Sequence, residues 1–549
     1  MERLFQTHKV RKTTELDGIW QFYMAEHPED IRQVLIPSCL ETYPGLENYA
    51  GRYTYRRDVT VECDGTVRLV FKGVGHTADI YWDEKKVGCH YNAFTPFALV
   101  LEDVAAGVHS IRVEGDNSVH KDSALHVAND YYNYGGIIRP VILEELRPVY
   151  IEQVHFIPEF CQDIWNAHIK VFFHNLDCQA KIRLCISLDG EQVLSGEYTI
   201  NPGKSHIEET VQVKDAQAYE PDAPRLYTMT AMLYAEGQCI DDLTDRVGFR
   251  TVSIEGKDIL MNGKKLQIKG FNRHEDHGIF GCAMPVEAMD YDLRLFKDMG
   301  ANAVRTSHYP NDERFLDLCD EYGILVWEES HARGLSEEQM RHPNFRKQSL
   351  CCIDEMLFSH INHPAIFTWG ILNECASNTE YGREIYTEQL NRIRSWDTSR
   401  PLTFASCMIK SDICLDLPDI VSLNIYPLWY HDAEPEEYLK EVYHWIQETP
   451  GNGKPFLVSE IGAGAIPGYI THNDVRWSEN RQAEILERQL SAVLGFADAS
   501  GVFIWQFCDC RVPDSGFYGR PRCMNNKGVV DEYRRRKLAY DTVKRKFTC

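Results

Sequence analysis

From residue 252 onward, short β-branched or aromatic runs alternate with amphipathic helical stretches, and this alternation restricts the fold more than any other feature of the chain. Eight strands are expected: LQIKGFN (266–272), NAVRTS (302–307), GILVWEE (323–329), AIFTWGIL (365–372), LTFAS (402–406), IVSLNIY (420–426), PFLVSEI (455–461) and GVFIWQF (501–507). Helical patterns lie between them. In DERFLDLCDEYG, Phe315, Cys319 and Tyr322 recur on one face and Gly323 supplies the stop. Eight strand-plus-helix units in about 300 residues predict a closed (β/α)8 TIM barrel over 252–549.

The first half reads differently. TVRLVFKG (66–73), ADIYWDEKKVG (78–88) and VHSIRVEGDN (108–117) are strand-like runs bounded by Gly, Asp and Asn, and predict a jelly-roll-like β-sandwich over 1–147. NAHIKVFFHN (166–175), the run 181–200 with its Asp189-Gly190 hairpin signal, and LYTMTAMLYAEG (226–237) predict an immunoglobulin-like sandwich over 148–251. A chain of 549 residues exceeds what one hydrophobic core holds, in keeping with three domains.

A net charge of −24 argues against duplex nucleic acid as a partner, because phosphates demand a basic surface. No run has the length of an uncharged membrane span, and the opening MERLFQTHKVRKTTELDG lacks a signal-peptide core. The 18 cysteines form no CxxC pair, and a reducing cytoplasm is the expected compartment. Large sandwich surfaces make a homo-oligomer the expected assembly.

Catalytic groups of such barrels gather at the C-terminal strand ends, where Glu374 of FTWGILNECA and Glu460 of FLVSEIG both fall. Two carboxylates on one rim satisfy the minimum for double-displacement glycoside hydrolysis, in which one attacks the anomeric carbon and the other protonates the departing oxygen.

NYGGIIRPV (133–141), KGFNRHEDH (269–277), RTSHYPNDERFLDLCDEYGILVWEE (305–329), WGILNE (369–374) and VSEIGA (458–463) together resemble glycoside hydrolase family 2 across essentially the whole chain. The resemblance implies Glu374 as acid/base and Glu460 as nucleophile. It implies that Asn373 bonds the hydroxyl beside the anomeric carbon, that Tyr426 holds the nucleophile, that Trp505 is the sugar platform, and that His308 and Asn424 are pocket residues. Asn525 and Lys527, in CMNNKGVV, match the Asn-x-Lys pair that reads a uronic acid's carboxylate in β-glucuronidases; an amide and an ammonium on one loop suit that anion. Asp130 matches an aspartate lent by the sandwich to a distal sugar hydroxyl, and Trp429 and Tyr430 match aromatic positions of the pocket.

Two departures stand out. EESHARGL places Arg333 where the family's glucuronidases carry a small or apolar residue, and a five-donor cation there bears on the choice between glucuronide and its fourth-carbon epimer, galacturonide. The segment from Gly334 to HINHPAIFTWG is short, which favours small or carbohydrate aglycones. HEDH (274–277) and HINH (360–363) lack a ligand pattern, and no metal or cofactor is assigned. The expected activity is a retaining exo-acting β-hexuronidase acting on a small-molecule or oligosaccharide β-hexuronide, with β-D-glucuronide leading and β-D-galacturonide as alternative. A β-galactosidase of the same family, or a non-catalytic carbohydrate-binding protein, are the further alternatives.

Overall fold

In a computed structural model, which describes residues 3–176, 178–514 and 520–548, period-two burial builds two antiparallel sandwiches and helix-covered parallel strands build a barrel. In the first sandwich, a six-stranded sheet runs in the order Arg32–Ile36, Gly18–Met24, Arg52–Val61, Gly107–Asp116, Thr77–Trp82 and Lys85–Tyr91. It faces a four-stranded sheet of Lys12–Glu15, Val141–Leu146, Gly65–Phe71 and Phe97–Val104. Along Gly18–Met24, Trp20 and Phe22 enter the core while Ile19 and Gln21 face outward, as the pleat requires. The 78–88 stretch is two strands rather than one run. Asp83 and Glu84 take φ of 48° and 64° and reverse the chain, a turn that Glu84 in place of glycine disguised.

The second sandwich packs three strands (Val149–Cys161, Ile164–Asn175, Gly203–Val213) on four (Glu191–Ile200, Ala180–Leu188, Tyr227–Ala235, Gln238–Val247). Asp189 and Gly190, both at positive φ, form the hairpin between Ala180–Leu188 and Glu191–Ile200.

The barrel closes through eight parallel strands in chain order: Ile268–Asn272, Ala303–Thr306, Leu325–Glu329, Ile366–Ile371, Leu402–Ser406, Ile420–Asn424, Phe456–Ile461 and Ala499–Ile504. Seven of these bury every residue, because the helical ring covers the outer face while side chains fill the interior. The eighth strand ends at Ile504, so Trp505 emerges on the loop just beyond it.

Helix Glu313–Tyr322 shows how the sequence seats the barrel against a sandwich. Asp312 caps it by accepting from Arg314 N, and Gly323 ends it at φ 63°. A Cβ on Gly323 would lie 1.9 Å from the carbonyl oxygen of Pro221, in the second sandwich. Gly323→Ala is therefore expected to cost about 2 to 3 kcal/mol in denaturant unfolding, from left-handed strain and a backbone clash. Gly263→Ala, at φ 73° with nothing within 4 Å, carries the strain alone and should cost about 1 kcal/mol. Equal losses in the two variants would show that the domain contact contributes nothing.

Candidate active site

A charged residue in the middle of a buried strand organises the rim. Arg305, on the second barrel strand, has no solvent exposure. It donates to Glu329 through Nε (2.8 Å) and Nη2 (3.0 Å), to Glu460 Oε1 (3.1 Å), to Asn272 Oδ1 (3.0 Å) and to Asn373 Oδ1 (2.8 Å). The opposite oxygen of Glu460 accepts from the Tyr426 hydroxyl at 2.5 Å.

Glu374 is aimed by its backbone. Leu372 and Glu374 take φ of 44° and 52°, left-handed conformations that cost non-glycine residues on the order of 1 kcal/mol or more each. A strand, a loop and a helix hold the turn: Glu374 N donates to Ala405 O (2.9 Å), Asn373 N to Ala332 O (3.1 Å) and Tyr386 Oη to Leu372 O (2.9 Å). The carboxylate then accepts from Asn424 Nδ2 (3.0 Å) and Arg333 Nη2 (3.3 Å).

Glu374 and Glu460 line one cavity of about 450 Å³ together with Asp130, His308, Arg333, Asn424, Tyr426, Tyr430, Trp505 and Lys527. His308 bonds Glu329 through Nδ1 (2.9 Å), and its ring lies parallel to Trp505 at 5.0 Å. Lys527 is buried, with Nζ 5.3 Å from the Tyr430 ring centre and 5.9 Å from that of Tyr426. Among the described residues, no carboxylate pairs with it. A buried ammonium without an anion is costly unless a ligand supplies one.

Three expected site residues are not on the cavity wall. Asn373 is not among the lining residues, although its Nδ2 is buried and has no partner among the described residues. Asn525 donates to Asp130 Oδ2 (3.1 Å), and its Oδ1 has no partner among the described residues. Trp429 packs edge-on against Trp477 (5.1 Å between ring centres) with the Arg476 guanidinium over its ring, beneath the pocket rather than in it. Asp130 is on the wall, but Arg520 engages both of its oxygens, one at 2.9 Å from Nε. A sugar hydroxyl at Asp130 has to share oxygens already bonded.

Arg305, Glu329 and Arg520 escaped the sequence reading, as did the wall residues Cys407, Ile409, His431 and Tyr438. For Arg305 and Glu329 a signal existed: each is an ionic residue within a run otherwise fit for complete burial. Arg520 lies in a Gly/Pro-rich loop with no period to place it.

The electrostatics follow from burial. Desolvation, reinforced by the Glu374 charge, pushes Glu460 up to about 7 against the opposing pull of Arg305 and the Tyr426 hydroxyl. Glu329 is raised to about 7 by its burial, with Arg305 opposing. Burial and then Arg305 hold His308 well below its ordinary value, so its imidazole is neutral. Of the HEDH and HINH side chains, Glu275 pairs with Arg139, Asp276 with Tyr134, His360 with Glu328 and His363 with Asp320; Nε2 of His274, His360 and His363 has no partner among the described residues.

Residues 252–548 match the family described as glycosyl hydrolases family 2, TIM barrel domain, and residues 149–250 match glycosyl hydrolases family 2. The chain belongs to glycosyl hydrolase family 2. This family 2 chain, a glycoside hydrolase, is 52% identical to the β-galacturonidase of Eisenbergiella tayi, whose crystal structure holds galacturonate; the TM-score is 0.98, over 100% of this chain and 99% of that one. It is 28% identical to the β-glucuronidase of Streptococcus agalactiae over 96% of both chains. It is 30% identical to that of Sus scrofa over 75% of this chain and 63% of that protein. No helix among the described residues is long and apolar enough to cross a membrane.

If Glu460 must be ionised to react, activity falls as pH drops through its raised pKa. The acidic limb of kcat/KM is expected nearer 7 than the ordinary carboxylate range, and Tyr426→Phe, which removes a bond favouring the anion, should move it further toward alkaline pH. A limb near 4.5 that ignores Tyr426→Phe would contradict this account.

Proposed function

We propose that the chain is a retaining exo-β-hexuronidase that releases a terminal β-D-galacturonic acid in preference to glucuronic acid. Lys527 carries the uronide reading: a buried, anion-seeking ammonium in the same cavity as two carboxylates. Lys527 holds the sugar carboxylate, while Asn525, off the wall, donates to Asp130. Trp505 receives the sugar face, with His308 beside it, and the free Nδ2 of Asn373 meets the hydroxyl next to the anomeric carbon.

In the first step a Glu460 oxygen bonds to the anomeric carbon as the bond to the leaving oxygen breaks, and Glu374 transfers its proton to that oxygen. In the second, water gives a proton to Glu374 and its oxygen displaces Glu460. Tyr426 steadies the nucleophile, and Asn424 and Arg333 hold Glu374 between its two roles. Retention requires the carboxyl groups about 5 to 5.5 Å apart.

The epimer preference rests on Arg333. It reaches the cavity wall, tied to Glu374 and to Asn129 Oδ1 (3.0 Å), where a guanidinium can bond an axial fourth-carbon hydroxyl. The 52% identity to the Eisenbergiella tayi β-galacturonidase supports the same order. Glucuronide is kept as the second substrate by the many glucuronidase relatives, at lower identity.

A cytoplasmic location is part of the proposal, supported by cysteines that are all free among the described residues. Self-association belongs to it as well. The cross-strand neighbours Ile19 and Leu35 are both more than half exposed, and side-by-side apolar residues suit a contact between copies.

Nitrophenyl β-galacturonide, β-glucuronide and β-galactoside test this reading. Glu460→Gln should abolish turnover of the uronides. Lys527→Ala should lower kcat/KM on them at least about 100-fold, since an unpaired buried carboxylate costs several kcal/mol. A neutral-sugar hydrolase would tolerate Lys527→Ala, and galactoside as the best substrate would favour it. Arg333→Leu should cost galacturonide more than glucuronide, about tenfold in the ratio. An unchanged ratio would remove Arg333 from epimer choice.

A further inference from the structure

The cavity wall carries two chemically different groups of residues. Lys527, Arg520, Asp130 and Tyr430 form one, bonded to each other or within ring-contact distance. The rest of the wall beyond Glu374 is built by the loops after barrel strands five and six and by the helix Pro435–Gln447 that follows strand six, and carries Cys407, Ile409, His431 and Tyr438. His431 and Tyr438 stack nearly parallel, 5.0 Å between ring centres at 25°. Ile409 and Tyr438 are half-buried, while Cys407 and His431 are exposed. The adjacent Lys410 is neutralised by its pairing with Glu441, and Arg333 is engaged by Glu374 and Asn129.

This wall is held in register with both carboxylates. Glu374 N bonds Ala405 O, two residues before Cys407. His431 N bonds Tyr426 O (3.3 Å), and Tyr426 is the residue whose hydroxyl meets Glu460. The same loop is closed by Leu428 N to His431 O (2.7 Å) and anchored by Gln489 Nε2 to Pro427 O (2.7 Å).

Resting on the function proposed above, we propose that Tyr438, stacked on His431 and lining the same cavity as Ile409, forms the leaving-group subsite, and that it takes a neutral ring, most suitably a hexose. The orientation follows from charge. A uronide carboxylate drawn to Lys527 puts the anomeric carbon between the two glutamates, and the departing group then extends toward the strand-five and strand-six loops. An aromatic face backed by a second ring offers stacking to a pyranose or aryl plane, and Ile409 adds apolar surface. An acyclic alcohol gains little from either. A charged leaving group finds no unpaired counter-ion in Lys410 or Arg333.

The test separates binding of a ring from leaving-group chemistry. A β-galacturonosyl-(1→4)-glucose disaccharide is compared with 2,2,2-trifluoroethyl β-galacturonide, an acyclic leaving group of sugar-like acidity, and with phenyl β-galacturonide. The disaccharide is expected to exceed the trifluoroethyl substrate about tenfold in kcat/KM, mostly through KM. Tyr438→Ala and His431→Ala should each bring that ratio to within about twofold of unity, and Tyr438→Phe should preserve it. Thermal melting confirms that each variant is folded. A ratio near unity in the wild type, or losses shared equally by both substrates in both variants, would overturn the subsite. A phenyl substrate that alone shows the advantage would overturn the hexose assignment. Failure of all three uronides to be cleaved would instead fall on the proposed function.

Discussion

The active-site architecture depends on one buried guanidinium. Arg305 reaches groups on or just beyond the first, third, fourth and seventh barrel strands, binding Asn272, Glu329, Asn373 and Glu460 with no exposure to water. In so dry a site an uncompensated carboxylate costs several kcal/mol, and one cation here serves two. Burial, reinforced by the neighbouring carboxylates, drives both Glu329 and Glu460 up to about 7. The Tyr426 hydroxyl adds a second donor to Glu460 and tilts the shared compensation toward that carboxylate.

Dependence runs outward from there to the first sandwich. Its loop contributes Asn129, Asp130 and Tyr131, and each side chain touches the barrel. Asn129 and Arg333 bond reciprocally, Nη1 to Oδ1 at 3.0 Å and Nδ2 to the Arg333 carbonyl at 3.1 Å. Tyr131 Oη lies 3.0 Å from His331 Nε2. Since Arg333 in turn donates to Glu374, the sandwich loop bears on the Glu374 carboxylate through a single intermediate. Deleting the sandwich would therefore disturb chemistry at the rim as well as the folded state. The buried Arg139–Glu275 pair (2.7 Å) ties the same two units together.

Much of this was readable from periodicity. The eight barrel strands appear where alternating runs and helices place them, because a parallel sheet covered on both faces leaves near-continuous apolar runs that few other structures need. The rim carboxylates followed from strand ends and from motifs. What escaped were features set by long-range contact. Arg520 meets Asp130 across 390 residues of chain, and no local pattern encodes that bond. Trp429 and Tyr430 are adjacent in sequence yet divide between a packing position and the cavity wall, since the loop after strand six turns between them. Glu84, in a turn where glycine or asparagine is the usual sign, hid a hairpin for the opposite reason: local chemistry was overruled by pairing with strands on either side.

Global and local charge pull in opposite directions here. A chain of net charge −24 repels an anionic sugar at long range, so recognition has to be won at short range, where screening by salt is ineffective and desolvation magnifies each pair. Lys527 meets that condition by waiting without a carboxylate partner among the described residues. A uronide completes the pair, while a neutral hexose would desolvate the ammonium and return nothing. Discrimination of this kind is stronger than a shape fit, because the wrong ligand leaves a buried charge unpaired and does not merely fill the space less well. The same logic explains why Asp130 can be surrendered to Arg520 and Asn525: those bonds keep a second anion from competing with the substrate for Lys527.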